Sequence, residues 1–284
     1  MEIISGKDLA ASIKQDVAKQ IAEYANIYGR TPNLTVILVG DDPASVSYVT
    51  GKGKACAEVG IKNNTITLPA NSTEEDVIAL IQKLNNDKTV DGILVQLPLP
   101  KQISEQRVID TIAKEKDVDG FHPYNVAALW EKRPCILPCT PKGVVKLLKS
   151  KSIDITGKRV VVMGRSNIVG LPAAKLMLDE NATVTIVHSR TQNIAQVCAE
   201  ADILIVGIGK PKFVKPEMIK QGAAVIDVGV NRDPETGKLC GDVDFDACAD
   251  KCSYITKVPG GVGPMTIACL MENTLECFLH NVKQ

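Results

Sequence analysis

Neither sign of charge predominates in this sequence: 33 lysines and arginines are matched by 33 aspartates and glutamates. Without an excess of positive charge, no long-range field draws the chain to nucleic acid or to an anionic membrane. No apolar run approaches the roughly 18–20 residues that a bilayer span requires. The N-terminal MEIISGKDLAAS lacks the basic-then-apolar order of a secretory signal. Histidine is scarce, confined to His122, His188 and His280, and the nine cysteines are odd in number and scattered from Cys56 to Cys277. That usage argues against a disulfide framework and for a cytoplasmic protein. Cys135/Cys139 and Cys248/Cys252 are each four apart, but structural zinc sites favour tighter pairs with histidine at hand. The cysteines are therefore read as small buried apolar residues, and no metal is expected.

What is present is organised around Lys158–Gly170, KRVVVMGRSNIVG. Val160, Val161, Val162 and Met163 form a short buried-strand run that stops at Gly164, and LPAAKLMLDEN beyond the loop has helical character. Strand, tight glycine turn, helix is how a doubly wound sheet offers backbone N–H groups to a pyrophosphate. The G-x-G-x-x-G pattern is incomplete, because Ser166 and Val169 stand where glycine is needed. On these residues alone a dinucleotide site and a ligand-free turn both stand.

At 284 residues the chain has room for two ordinary α/β domains or one large one. Ser5 to Asp8 caps a first helix with Leu9, Ile13, Val17 and Ile21 as its apolar stripe. Strands follow at 34–40, near 65–68 and at 90–97, alternating with helices near 45–58, 73–84 and 105–113. The loop KDVDGFHPYN and two short helices follow, the second opened by Thr140 and Pro141. Further strands are read at RVVVMG, TVTIVHS, DILIVGIG, AAVIDVGV and SYITKV, and the loop PGGVGP leads to a last helix. Alternation at this spacing implies parallel sheets. The expectation is an α/β protein of two doubly wound domains with a cleft between them. Residues 1–120 plus 265–284 make the first, 121–150 a helical connection, and 151–264 a Rossmann-type domain. Ile267, Leu270, Met271 and Phe278 give the last helix an apolar face, expected to cross back onto the first domain.

The second strand of a dinucleotide fold ends beside the adenosine ribose, where an acid holds the 2′-hydroxyl of NAD. Here that position reads His188-Ser189-Arg190, with no acid. Arg165 in the glycine loop reaches the same corner, and two guanidinium groups with a serine hydroxyl suit a 2′-phosphate. NADP is favoured over NAD, against the alternative that Ser189 and Arg190 only end a strand on a solvated surface. In the first half, Tyr48 and Lys52 share a helix face at i, i+4. The pair invites comparison with short-chain dehydrogenases, but it lies upstream of the glycine loop, where that family has it downstream. Burial would bring Lys52 into a useful acid–base range. Gln96 ends a buried strand ahead of Leu97-Pro98-Leu99-Pro100, as a ligand-positioning amide or a strand cap. Asp119 is a loop carboxylate suited to an N–H/NH₂ edge such as that of a pterin, or a solvated turn acid. PGGVGP is a hinge or a loop of close ligand approach.

Taken together, SVSYVTGK, DGILVQLPLP, KDVDGFHPYN, GRSNIVGLP, VIDVGVNR and KVPGGVGPMT resemble the bifunctional methylenetetrahydrofolate dehydrogenase/methenyltetrahydrofolate cyclohydrolase family, in the same order over essentially the whole chain. The resemblance implies NADP-linked oxidation of 5,10-methylenetetrahydrofolate and hydrolysis of the methenyl product to 10-formyltetrahydrofolate, in one-carbon metabolism. It implies that Lys52 is the key cyclohydrolase residue, that Gln96 tunes it, that Tyr48 stacks on the folate and that Asp119 holds the pterin edge. Gly164, Arg165, Ser166, Ser189 and Val230 fall on the family's NADP contacts, Arg190 adjoins them, and Gly260, Gly261 and Pro264 fall beside the substrate. Folate substrates and a homodimer are expected as partners. Lys257 departs from the pattern, standing where many relatives have proline. A dehydrogenase without cyclohydrolase activity and a non-catalytic nucleotide-binding module are the other readings; Tyr48, Lys52, Gln96 and Asp119 speak against the second.

Overall fold

A computed structural model describes residues 1–283. β1 (Glu2–Ile4) leads to α1 (Gly6–Tyr28), β2 (Asn33–Val39), α2 (Pro43–Val59), β3 (Lys62–Leu68), α3 (Glu74–Asn86) and β4 (Gly92–Val95). Next come α4 (Glu105–Thr111), α5 (Pro123–Trp130), α6 (Cys139–Ser150), β5 (Arg159–Met163), α7 (Gly170–Asp179), β6 (Thr183–Val187) and α8 (Ile194–Cys198). The chain ends through β7 (Ile203–Val206), β8 (Ala223–Asp227), β9 (Asn231–Arg232), β10 (Leu239–Cys240), α9 (Phe245–Cys248), β11 (Cys252–Thr256) and α10 (Val262–Val282). It divides into two compact units: Met1–Ala11 with Pro138–Thr266, and Ser12–Leu137 with the chain from Ile267 onward.

The second of these holds a parallel three-stranded sheet in the order β3-β2-β4. Every residue of β2 is buried, as a central strand covered on both faces requires. Its start is tied down at Asn33, whose amide donates to Asp91 over 2.9 Å, and Asp91 in turn accepts both guanidinium arms of Arg30 at 2.6 and 2.8 Å. α2 is set by Asp42, which accepts the Ser45 N–H, and by Pro43 at its first position, and it closes on Gly60 in the left-handed region. α3 opens on a reciprocal capping box between Thr73 and Asp76. Ile37, Val77, Ile81, Ile93 and Val108 form the core between sheet and helices. Each such buried side chain contributes about 1.5–3 kcal/mol. In α10, Leu270, Met271 and Phe278 are buried, and Asn273 Nδ2 donates to the carbonyls of Val118 (2.8 Å) and Leu137 (2.9 Å).

The other unit holds six parallel strands in the order β1-β11-β8-β7-β5-β6. From β5 the chain steps to β6 on one side and then crosses to β7 on the other. The carboxyl ends of β5 and β7 are thus a topological switch point, the place where open α/β sheets receive ligands. Val161, Leu204, Val206, Val225 and Ile255 are among the core residues packed here.

The boundaries differ from those expected. β1 pairs in parallel with β11, Glu2 opposite Tyr254 and Ile4 opposite Thr256, so the N-terminus belongs to the six-stranded unit. A three-residue edge strand carries too little pattern to stand out before an amphipathic helix. The expected connection 121–150 is likewise shared, dividing between Leu137 and Pro138. α6 begins at Cys139, ahead of the expected cap, and the Thr140 hydroxyl pairs with that of Thr266 at 2.9 Å.

Candidate active site

In the three-stranded unit, β2 leads to β3 on one side and, through α3, to β4 on the other, so its switch point lies between the carboxyl ends of β2 and β4. Gln96 stands there, its backbone N–H donating to Ile37 at 2.9 Å. Its side-chain NH₂ donates to the Leu97 carbonyl at 2.6 Å, which fixes the amide and leaves Oε1 to accept from Lys52 Nζ at 3.0 Å. Tyr48 is one helical turn before Lys52 on α2, and the residue is 48% exposed. One turn after Lys52, the thiol of Cys56 is fully buried, and that burial pushes its pKa up to about 12.

Asp119 joins this group through the loop after α4. Asp117 bridges in parallel to Ile93 of β4, carrying the loop alongside the strand. Asp119 borders a narrow cavity with Val95, Leu97 and Phe121. Burial among these side chains pushes its carboxyl up to about 6; the nearby ammonium of Lys52 opposes that rise and the charge of Asp117 adds to it. Lys52, Gln96 and Asp119 are therefore brought together, with Tyr48 on the same helix face as Lys52. Asp117 is not among the expected residues. It is buried and accepts N–H groups from Gly120 (3.1 Å), His122 (2.8 Å) and the Asn125 side chain (2.8 Å), which shapes the loop around Asp119. An aspartate three residues before glycine is a local turn signal that identifies it.

The expected cofactor residues lie at the carboxyl edge of the six-stranded sheet. Gly164 ends β5 with φ +124°, where a Cβ would stand 2.4 Å from the Gly207 carbonyl oxygen at the end of β7. Gly170 starts α7 so close to that turn that a Cβ would stand 2.3 Å from the Gly164 oxygen. The glycines of this fingerprint are thus Gly164 and Gly170, and Ser166 between them accepts the N–H groups of Val169 (3.2 Å) and Gly170 (3.3 Å). Arg165, Ser189, Arg190 and Val230 are exposed. The end of β6 carries no carboxylate; the turn there is closed by the His188 N–H on Thr191 Oγ1 at 2.9 Å. A close-packed glycine turn, an acid-free second strand and exposed guanidinium groups fit NADP. Gly260, Gly261 and Pro264 follow β11 in this same unit, where the Gly260 carbonyl accepts the Lys7 N–H at 3.1 Å. Lys257 lies over the ring of Phe245, 5.3 Å from its centroid.

An all-parallel sheet with a glycine turn at its switch point and an acid-free second strand in one unit, and lysine, glutamine and aspartate brought together in the other, define a two-unit α/β enzyme of the nicotinamide-dinucleotide class. Comparison with known proteins makes the assignment specific. Residues 138–282 match the NAD(P)-binding domain of tetrahydrofolate dehydrogenase/cyclohydrolase, and residues 4–119 match its catalytic domain. The chain is 59% identical over 276 residues to the bifunctional protein FolD of Geobacillus thermodenitrificans, covering 97% of this chain and 96% of that one. The structure of FolD from Campylobacter jejuni superposes with a TM-score of 0.96 at 47% identity, with 99% of each chain covered. That of the Trypanosoma brucei enzyme, complexed with NADP and an inhibitor, gives 0.95 at 42% identity, covering 99% of this chain and 98% of that one. This chain belongs to the tetrahydrofolate dehydrogenase/cyclohydrolase family.

Proposed function

We propose that the protein oxidises 5,10-methylenetetrahydrofolate with NADP and hydrolyses the resulting methenyl cation to 10-formyltetrahydrofolate. The observation that carries this reading is the Lys52–Gln96 hydrogen bond of 3.0 Å at the sheet edge where Asp119 lies. The two half-reactions make different demands. The first needs alignment more than acid–base help. For it, Gly164, Arg165, Ser166, Ser189, Arg190 and Val230 hold NADP, the two arginines and Ser189 taking its 2′-phosphate. When bound, NADP supplies the acceptor for the hydride.

The second half-reaction delivers water to a cationic carbon and then moves protons on the carbinolamine that forms. Lys52 serves that step, activating water or passing the proton. Gln96, its amide fixed by the Leu97 carbonyl, holds Lys52 Nζ in place. Tyr48 offers an exposed ring for stacking against the pteridine. Asp119 accepts from the pterin N–H/NH₂ edge, and Gly260, Gly261 and Pro264 line the substrate. On the same reading the enzyme is a cytoplasmic homodimer, and light scattering that returned a single chain's mass would remove the dimer.

Lys52→Met tests the assignment. Cyclohydrolase turnover of supplied methenyltetrahydrofolate should fall by about a hundredfold or more, the scale of a lost general acid–base group. NADP binding and a measurable dehydrogenase rate should remain. A mutant that hydrolysed methenyltetrahydrofolate at the parental rate would remove Lys52 from the mechanism.

A further inference from the structure

We propose that Asp227 and Asp242 are positioning residues for the dinucleotide, a pair of buried carboxylates that fixes the loops at the carboxyl ends of β7 and β8. The inference rests on the reading that NADP lies along that edge of the six-stranded sheet.

Asp242 has no exposed surface, and its carboxylate is filled by four donors: the backbone N–H groups of Ile208 (2.6 Å), Gly209 (3.0 Å) and Lys210 (2.7 Å), and the side-chain NH₂ of Asn231 (2.8 Å). Its place is set by Asp227, the last residue of β8. That carboxylate accepts the N–H groups of Asp242 (3.0 Å) and Val243 (2.8 Å), and of Gly229 (3.0 Å) on its own loop. The two acids thus act in series. Asp227 pins the segment that carries Asp242, and Asp242 pins the loop after β7. The packing leaves no slack. A Cβ on Gly229 would stand 2.3 Å from Asp242 Cγ, and one on Gly241 would stand 1.8 Å from Asp227 Oδ2.

Three consecutive N–H groups converging on one point form the kind of concavity that takes up an anion such as phosphate. Here Asp242 fills it from within. Because a trans peptide directs the preceding carbonyl opposite to its N–H, the same constraint turns the carbonyls of Gly207, Ile208 and Gly209 away from Asp242. The loop is therefore set to offer acceptors to the hydroxyl and carboxamide donors of the dinucleotide, and phosphate recognition is left to the Gly164–Gly170 turn. Two enclosed acids are an unfavourable arrangement for stability alone, since apolar side chains would fill the space without desolvating charge.

The test compares Asp242→Asn and Asn231→Ala with the parent enzyme, reading the KM for NADP in the dehydrogenase assay, NADPH binding by fluorescence, and NADP-independent hydrolysis of supplied methenyltetrahydrofolate. Asp242→Asn puts an amide donor among the loop's donors and should raise the KM for NADP about tenfold or more, the scale of a lost charge-assisted hydrogen bond. Hydrolysis of methenyltetrahydrofolate should stay within about twofold of the parent, as expected where sites are independent. Asn231→Ala removes one donor and leaves every acid in place, so a rise of about threefold is expected. An unchanged KM for NADP, or a parallel fall in both activities, overturns the inference. Should Asp242→Asn not fold, Asn231→Ala decides alone. A parent enzyme that failed to bind NADPH would instead overturn the function on which the inference rests.

Discussion

The carboxyl of Asp119 is pulled in opposite directions by its surroundings. Burial beside Val95, Leu97 and Phe121 raises its pKa, Lys52 holds it down, Asp117 adds to the rise, and the balance is a value of about 6. A carboxylate that accepts from a pterin edge must be ionised, so the competent form is present above that value and disappears as pH falls through it. The expected result is a kcat/KM for methylenetetrahydrofolate that declines on the acid side with an apparent pKa of about 6. Asp119→Asn should abolish this limb and raise the folate KM by about tenfold or more, as loss of a charged hydrogen-bond partner does. If the variant kept the limb, the titrating group would be another residue. Little of this balance is legible in KDVDGF, because the apolar wall comes from β4 and Lys52 from α2. The residue types were legible, and so was the i, i+4 relation of Tyr48 to Lys52. The Lys52–Gln96 bond spans 44 positions and exists only through the sheet order.

At the scale of elements, the β5–turn–α7 segment depends on two close approaches. Gly164 combines φ +124° with a Cβ position 2.4 Å from the Gly207 carbonyl oxygen. Gly164→Ala therefore brings backbone strain and a clash at the junction of β5 and β7, and should lower stability by about 1–3 kcal/mol. NADPH affinity should fall further than the folate affinity, because the displaced backbone is the proposed phosphate turn. Equal losses for both ligands, measured by titration, would make the glycine a general folding requirement. Which elements could be read from the sequence follows from the same physics. β2, β5, β7 and β8 are dominated by apolar residues because both sheet faces are covered, and α2 and α3 carry side-chain caps. β1 and the short β9–β10 pair have three and two residues per strand, too few for a period to emerge. The incomplete fingerprint had a physical origin as well. Ser166 takes up the first helical N–H groups, and Gly170 provides the close approach one residue later than the usual pattern.

Across the whole molecule, carboxylates shifted in opposite directions set how stability depends on pH. Asp227 is raised to about 7, by burial first and by Asp242 among the lesser causes, and Asp119 to about 6. Both lie above the value of about 3.9 for an aspartate in the unfolded chain. Between those limits the unfolded chain releases these protons first, so stability falls as pH rises from about 4 and levels off beyond about 7. Asp233, held down to about 2 by its hydrogen bond and ion pair with Lys212, has the opposite sign, as do Asp202 beside Lys220 and Asp244 beside Lys215. Their contribution is complete above the unfolded pKa and is lost as pH falls below it. Stability should therefore peak on the acid side of neutrality, with a Tm a few degrees higher at about pH 5.5 than at about pH 8. Asp227→Asn isolates the largest upward shift, because an amide resembles the protonated carboxyl and cannot ionise. The variant should lose much of the decline between these two pH values, with its Tm nearest the parent's at the acid end, where the parent is protonated too. A variant whose Tm declined as steeply as the parent's would show that the decline comes from groups other than Asp227. It would leave the positioning role of the pair to be judged on NADP binding.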